Sequence, residues 1–138
     1  MFRFDMQTFL PLPNFLESMR VLDRTRLGNQ IWREGYTLIR GGWKNHPASK
    51  MWRGYEYQLG LYLLAGCQIL EERGKPYPAV IERIKMEMSK FTDTGLPNWF
   101  GDDKFHASHR SNLIRKNPIW YGQFGWNEPP DLPYIWPK

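Results

Sequence analysis

Cysteine is all but missing from this chain. Cys67 stands alone, so no internal disulfide can form and a reducing compartment is expected. Long apolar runs are missing as well. The longest, Leu59 to Leu70, is about a dozen residues and is interrupted by Gly60, Gly66 and Gln68. A membrane span needs roughly 20 residues, so this run is expected to be a buried helix. The N-terminus lacks the charged region, apolar stretch and cleavage site of a secretory signal, and a cytoplasmic location is the expectation. There is also no glycine-rich phosphate loop, no Gly-x-Ser-x-Gly elbow and no set of paired acidic metal ligands. Those absences exclude the usual designs of nucleotide hydrolases, serine hydrolases and two-metal nucleases.

What is present suits one globular domain spanning residues 1–138, with 41% hydrophobic and 24% charged residues. The net charge of +5 is unevenly placed. Residues 1–53 hold nine basic and four acidic side chains, residues 54–103 five and eight, and residues 104–138 five and two. Two basic ends flank an acidic middle. If the ends pack together they form a positive face suited to phosphate, as nucleic-acid-binding proteins carry.

The element pattern is helical. After Pro13, Asn14 can cap a helix whose apolar positions run from Phe15 to Leu38 and stop at "RGGW". A second helix is expected over Lys50 to Arg73, ended by Gly74, and a third from Pro78. Asp102 or Asp103 can cap a last one that stops before Pro118. Residues 117–138 carry five of the eleven prolines and six of the 22 aromatic rings, which predicts an extended tail packed on the helices. The expected class is therefore all-α: a compact domain of three to four helices with long ordered loops and an aromatic, proline-rich C-terminal tail.

The candidate chemistry starts at Glu34. It follows Ile31 by three residues and precedes Leu38 by four, placing a carboxylate beside the apolar stripe. Arg33 is its neighbour, and the positions four away hold Gln30 and Leu38, so the sequence offers no cation at i±4. A partly desolvated carboxylate titrates high and suits acid–base work. With Asp23, Arg26, Gln30 and Arg33 it forms a polar band, which a solvated face with internal ion pairs would also produce. His106, His109 and Arg110 share one face of the last helix. Two histidines are too few for a zinc site, and His109, Arg110, Asn112, Arg115 and Lys116 are instead expected to meet phosphates or bases. Arg115 and Lys116 would equally complement the helix dipole. In "WKNHP", Lys44 and Asn45 are donors, and His46 is either an acid–base group or a loop brace. Trp43 and Trp99, both in loops, are the rings considered for stacking on a base.

Several stretches occur in an order that carries a resemblance: "MQTFLP", "LDRTRLGNQ", "IWREG", "NHPASKMWRGYE", "FHASHRSNLIRKNPIWYG" and "LPYIWP". Together they resemble the pyrimidine dimer DNA glycosylase family of endonuclease V-like excision enzymes, and within it a bacterial and phage branch. The resemblance spans the chain from Met6 onward. It implies a mainly helical, metal-free and cofactor-free enzyme acting on double-stranded DNA as a monomer, without an obligate protein partner. It implies further that the α-amine of the first residue is the nucleophile, forming an imine with the opened sugar, and that the strand is then nicked by β-elimination. The catalytic glutamate carries over onto Glu34 and its substrate-binding neighbour onto Arg33. Arg24, Arg26, Gln30, Lys44 and Asn45 are expected on the DNA side with His109, Arg110, Asn112, Arg115 and Lys116, and His46 joins Glu34 as a candidate catalytic group. "MFRFD" precedes the resemblance, so the amine belongs to Met1 if translation starts there and to Met6 otherwise. A third route uses water and has no lyase step.

Overall fold

The structure, a computed structural model, describes residues 6–137. Among the described residues every regular element is helical, as expected. The helices are shorter and more numerous than the hydrophobic pattern implied, because two expected helices are each broken once.

The first break falls at Leu22–Asp23. Helix α1, Phe15–Arg20, is capped by Asn14, whose Oδ1 accepts from the Glu17 amide at 2.8 Å. At its far end Arg73 donates to the carbonyls of Arg20 and Leu22, both at 2.9 Å. Asp23 is then extended (φ −69°, ψ 163°) and starts a new helix. That second piece is a continuous rod: α2, Arg24–Gly28, a π-helix over Asn29–Gly35, and α3, Tyr36–Ile39. Gly41, with φ of 89°, closes it. The other break falls at Gly54, also at φ 89°. It divides the run expected over Lys50 to Arg73 into α4, Pro47–Trp52, and α5, Glu56–Glu72.

The remaining boundaries are where the capping residues put them. Gly74 follows α5 in the left-handed region, its amide bonded to Glu71 O and that of Lys75 to Leu70 O, a Schellman closure. Helix α6 covers Pro78–Met88, and α7, Asp103–Lys116, is capped by Asp102, which accepts from the Lys104 amide. The tail opens with the short α8, Pro118–Tyr121, and a 3₁₀ turn, Gly122–Phe124, before it becomes extended. Its rings are packed as expected: Tyr121 and Phe124 lie 5.7 and 5.3 Å from Trp126, both nearly parallel to it.

Helix α5 is the central post. Gly66 lets Ile31 and Met19 reach its backbone, and Gly60 does the same for Met88; a Cβ at either would lie within 3.0 Å of those side chains. Around it Leu22, Leu27, Leu59, Tyr62, Leu63 and Ile84 are almost wholly buried. No helix among the described residues is long and apolar enough to cross a membrane.

Candidate active site

Residues 6–10 run without regular structure between the π-helix and α7, and all five are buried. Extended backbone in an interior must find partners for its amides and carbonyls. On the α7 side two histidines one turn apart supply them. His106 Nδ1 lies 2.7 Å from Leu10 O, and the Leu10 amide donates to His109 Nδ1 at 2.8 Å. His106 Nε2 in turn accepts from Gly101. These bonds assign His106 as the Nδ1–H tautomer and His109 as Nε2–H. Burial lowers the pKa of both, that of His109 to about 3.

On the rod side a single glutamine serves the same purpose. Gln30 Oε1 accepts from the Phe9 amide at 2.6 Å, and its Nε2 donates to Gln7 O at 2.8 Å. That Nε2 also donates to Glu34 Oε2 at 2.9 Å, and the Gln7 amide reaches the same oxygen at 3.3 Å. Tyr62 completes the network, its hydroxyl 2.6 Å from Phe9 O and 2.9 Å from Gln30 Oε1. Burial first, and the negative charge of Glu34 second, push the acidity of that phenol well down, so it stays a donor. The N-terminal segment is thus held by its own backbone against the Glu34 carboxylate.

Glu34 is 8% exposed. It lines a small pocket of about 130 Å³ together with Phe9, Thr25, Arg26, Asn29, Gln30 and Lys116. Arg26 is oriented by Asp23 at 3.2 Å. Asp23 is oriented by Tyr121, whose hydroxyl donates to its Oδ1 at 2.6 Å and accepts from its amide at 3.0 Å. The "PIWY" stretch therefore acts at a distance: Tyr121 secures the start of α2, and Trp120 Nε1 bonds Val21 O beside it. The arrangement joins an acceptor carboxylate to two cations at the mouth of a recess. Such a site can receive a phosphate-flanked sugar and handle a proton next to it.

The structure brings Glu34, Gln30, Arg26 and Lys116 together and disperses the other candidates. Arg33 turns away to a groove with Trp32, Tyr36, Arg40 and Arg83. Arg24 borders a hollow with Lys75 and Tyr77, and Lys44 and Asn45 border one with Arg53 and Lys90. His46 is a brace: it is 2% exposed, and its Nδ1 accepts from the Ala48 amide to cap α4. Of the α7 residues expected to face DNA, His109 and Asn112 are buried, and Arg110 and Arg115 make bonds within the protein. His109 is buried and neutral. Asn112 bonds Ser108 O and Leu132 O. Arg110 grips Glu128 with both arms and Pro11 O with a third bond. Arg115 bonds Asn112 and Pro130 O. Met1 lies outside the described residues, and Met6 is buried next to the Gln7–Glu34 contact.

The sequence pointed to Glu34 and grouped Asp23 with it, but missed Gln7, Tyr62 and Tyr121 as members of its network. A buried tyrosine needs a hydroxyl partner, but that signal marks any core tyrosine and names no partner. No curated protein and no solved structure matches the chain. A model of the family described as pyrimidine dimer DNA glycosylase matches residues 6–86, beginning at the buried N-terminal segment and covering Gln30, Glu34 and the whole rod. That match takes in well over half of the sequence, and the chain belongs to the pyrimidine dimer DNA glycosylase family.

Proposed function

We propose that this protein is a DNA glycosylase with an associated AP lyase step, removing a damaged or modified pyrimidine through an imine between its N-terminal α-amine and the sugar. The observation that carries this reading is the threading of the N-terminal segment against Glu34, with the Gln7 amide 3.3 Å from the carboxylate. A chain starting at Met6 would have its amine one residue from that contact, about 3.8 Å along the backbone between Cα atoms. A chain starting at Met1 has five further residues with which to return to the pocket.

The chemistry balances with groups of this chain and solvent water, which supplies the proton to the departing base and accepts the one lost from C2′. An α-amine has a reference pKa of about 7.7–8.0, so a useful fraction is neutral near pH 7. The neutral amine attacks C1′, the C1′–N bond to the base breaks, and the electron pair leaves with the base, which takes up a proton. Glu34 accepts the proton shed by the attacking nitrogen and returns it to the ring oxygen as the sugar opens. The resulting iminium acidifies C2′, and loss of that proton expels the 3′ phosphate. Arg26 and Lys116 hold the flanking phosphates. Extrusion of the base is cheapest where pairing is already weakened, which favours a lesion over an intact pyrimidine.

Borohydride trapping on duplex DNA with an abasic site tests the reading, with peptide mapping of the adduct. A cross-link at the first residue is the expected result. A link at Lys44 or Lys50 would move the nucleophile, and base release without any link would leave a glycosylase that uses water. Glu34→Gln is expected to slow strand scission by about 10²–10⁴-fold while leaving duplex affinity equal or tighter. Scission at the native rate would remove Glu34 from the site.

A further inference from the structure

The rod has a second face that the pocket does not use. Trp32 and Tyr36, one helical turn apart, stack with ring centroids 5.1 Å apart and planes within 6°. Arg40 continues the row, its guanidinium 5.4 Å from the Tyr36 centroid, and Arg83 reaches across from α6 to 5.6 Å from the Trp32 centroid. Trp32 is 44% exposed. Both Trp43 and Trp99 are used internally: Trp99 is 8% exposed with its Nε1 on Met51 O, and Trp43 packs edge-on to His46. The exposed stack is therefore not overflow from a filled interior.

Charge points the same way. The groove around the stack is lined by Arg33, Arg40 and Arg83 with Glu87 as its acid, and Glu87 is paired with Lys90 at 3.0 Å. Among the described residues none of the three guanidinium groups is taken up by a carboxylate. The hollow on one side shares Trp32 with this groove and adds Arg24, Lys75 and Tyr77. The hollow on the other shares Arg40 and adds Lys44 and Arg53. The three depressions adjoin along the rod through these shared residues, with the aromatic pair at the centre, cations on both sides, and Glu56 and Glu87 as the acids among them.

Flat rings with interleaved guanidinium groups along a cationic groove are what unpaired nucleotides need. Bases stack on aromatic or guanidinium planes without regard to sequence, while the backbone follows the charges. Paired DNA hides its base faces and could use only the cations. We propose that this track binds single-stranded DNA, separately from the Glu34 pocket. The proposal rests on the reading of the chain as a DNA enzyme, and the strand it would take is one left unpaired beside the lesion.

The test uses the full chain and a short oligothymidylate with a central 5-bromodeoxyuridine. Irradiation should cross-link the oligonucleotide to Trp32 or Tyr36, identified by peptide mapping. Trp32→Ala should weaken single-strand affinity at least tenfold, and Arg40→Ser with Arg83→Ser should weaken it and flatten its salt dependence. Glu34→Gln should bind the oligonucleotide as the parent does. Trp32→Leu, which keeps apolar cover over the groove, should keep the parent melting temperature and still lose affinity. Cross-links confined to the tail tryptophans, or affinity unchanged in Trp32→Leu, would overturn the proposal. So would capture of an acidic protein with no oligonucleotide binding. Excision by the parent enzyme with no single-strand binding would sink the track alone; binding without excision or trapping would sink the functional reading alone.

Discussion

At the scale of single residues, His109 shows how burial decides what a polar side chain can do. Its Nδ1 is used on the Leu10 amide, and its Nε2 lies buried with no acceptor among the described residues. Protonation would place a charge among Phe9, Phe105 and Tyr134 and would break the bond to Leu10. Its pKa of about 3 lies below the ordinary value of 6.5, so between those pH values the unfolded chain binds the extra proton. The stability that neutral His109 contributes is complete above about pH 6.5 and is lost as pH falls, with a slope approaching about 1.4 kcal/mol per unit. His106, lowered mainly by burial, acts in the same direction. Urea unfolding at pH 7, 6 and 5 should show this slope, and the imidazole nitrogen shifts of His109 should remain those of the neutral Nε2–H form at pH 5. In His109→Asn, where an amide oxygen can replace Nδ1, the dependence should be shallower. A His109 that titrates near 6 would contradict the burial argument.

At the scale of elements, the π-helix presents Gln30 and Glu34 together to the N-terminal segment. Its five-residue hydrogen-bond ladder is held in place at Gly35. A Cβ there would lie 2.0 Å from Leu63 Cδ2 and 2.4 Å from the carbonyl oxygen of Gln30. A methyl group cannot be accommodated by moving Leu63 alone, because the second clash is with backbone. Overpacking of this kind costs about 1–3 kcal/mol, and here the relief would pull Gln30 away from Gln7, Phe9 and Glu34. Gly35→Ala should therefore lower both thermal stability and excision rate, whereas Gly28→Ala, with open space around it, should change neither. Equal effects of the two would show that the close approach is unimportant.

The helical class, the caps at Asn14 and Asp102, and the stops at Gly74 and Pro118 were legible because each depends on local geometry. Glu34 was legible because a charge beside an apolar stripe is an anomaly in the sequence itself. The two helix breaks were not. Gly54 gave a glycine signal inside a long apolar pattern, and the pattern prevailed; the break at Leu22–Asp23 depends on Tyr121, 98 residues away. The π register leaves no trace in hydrophobic spacing over seven residues. The donors of α7 were misassigned for a related reason: an Arg that meets phosphate and one that holds a carbonyl have the same local sequence.

At the scale of the whole molecule, the two basic ends do pack together, but both C-terminal arginines make bonds within the protein. Arg110 joins three distant parts of the chain: α7, Pro11 on the N-terminal segment and Glu128 in the tail. The pair with Glu128, at 2.9 Å with side chains 13% and 18% exposed, is sheltered enough to matter. Its carboxylate is held below the usual range, first by the hydrogen bond from Arg110. Lys116 instead lines the Glu34 pocket. This division separates two variants with the same change of charge. Arg110→Met should destabilise the fold by about 1–3 kcal/mol by stranding Glu128, and Arg110→Met with Glu128→Gln should regain most of it. With its guanidinium held by Glu128 and Pro11 O, Arg110 is expected to contribute no phosphate contact, and duplex affinity measured across salt concentrations should keep its slope. Lys116→Met should reduce that slope by about one unit, the signature of one lost phosphate contact. Were Arg110→Met to reduce the salt slope while Lys116→Met left it alone, the positive face would have to be redrawn around α7 and the tail.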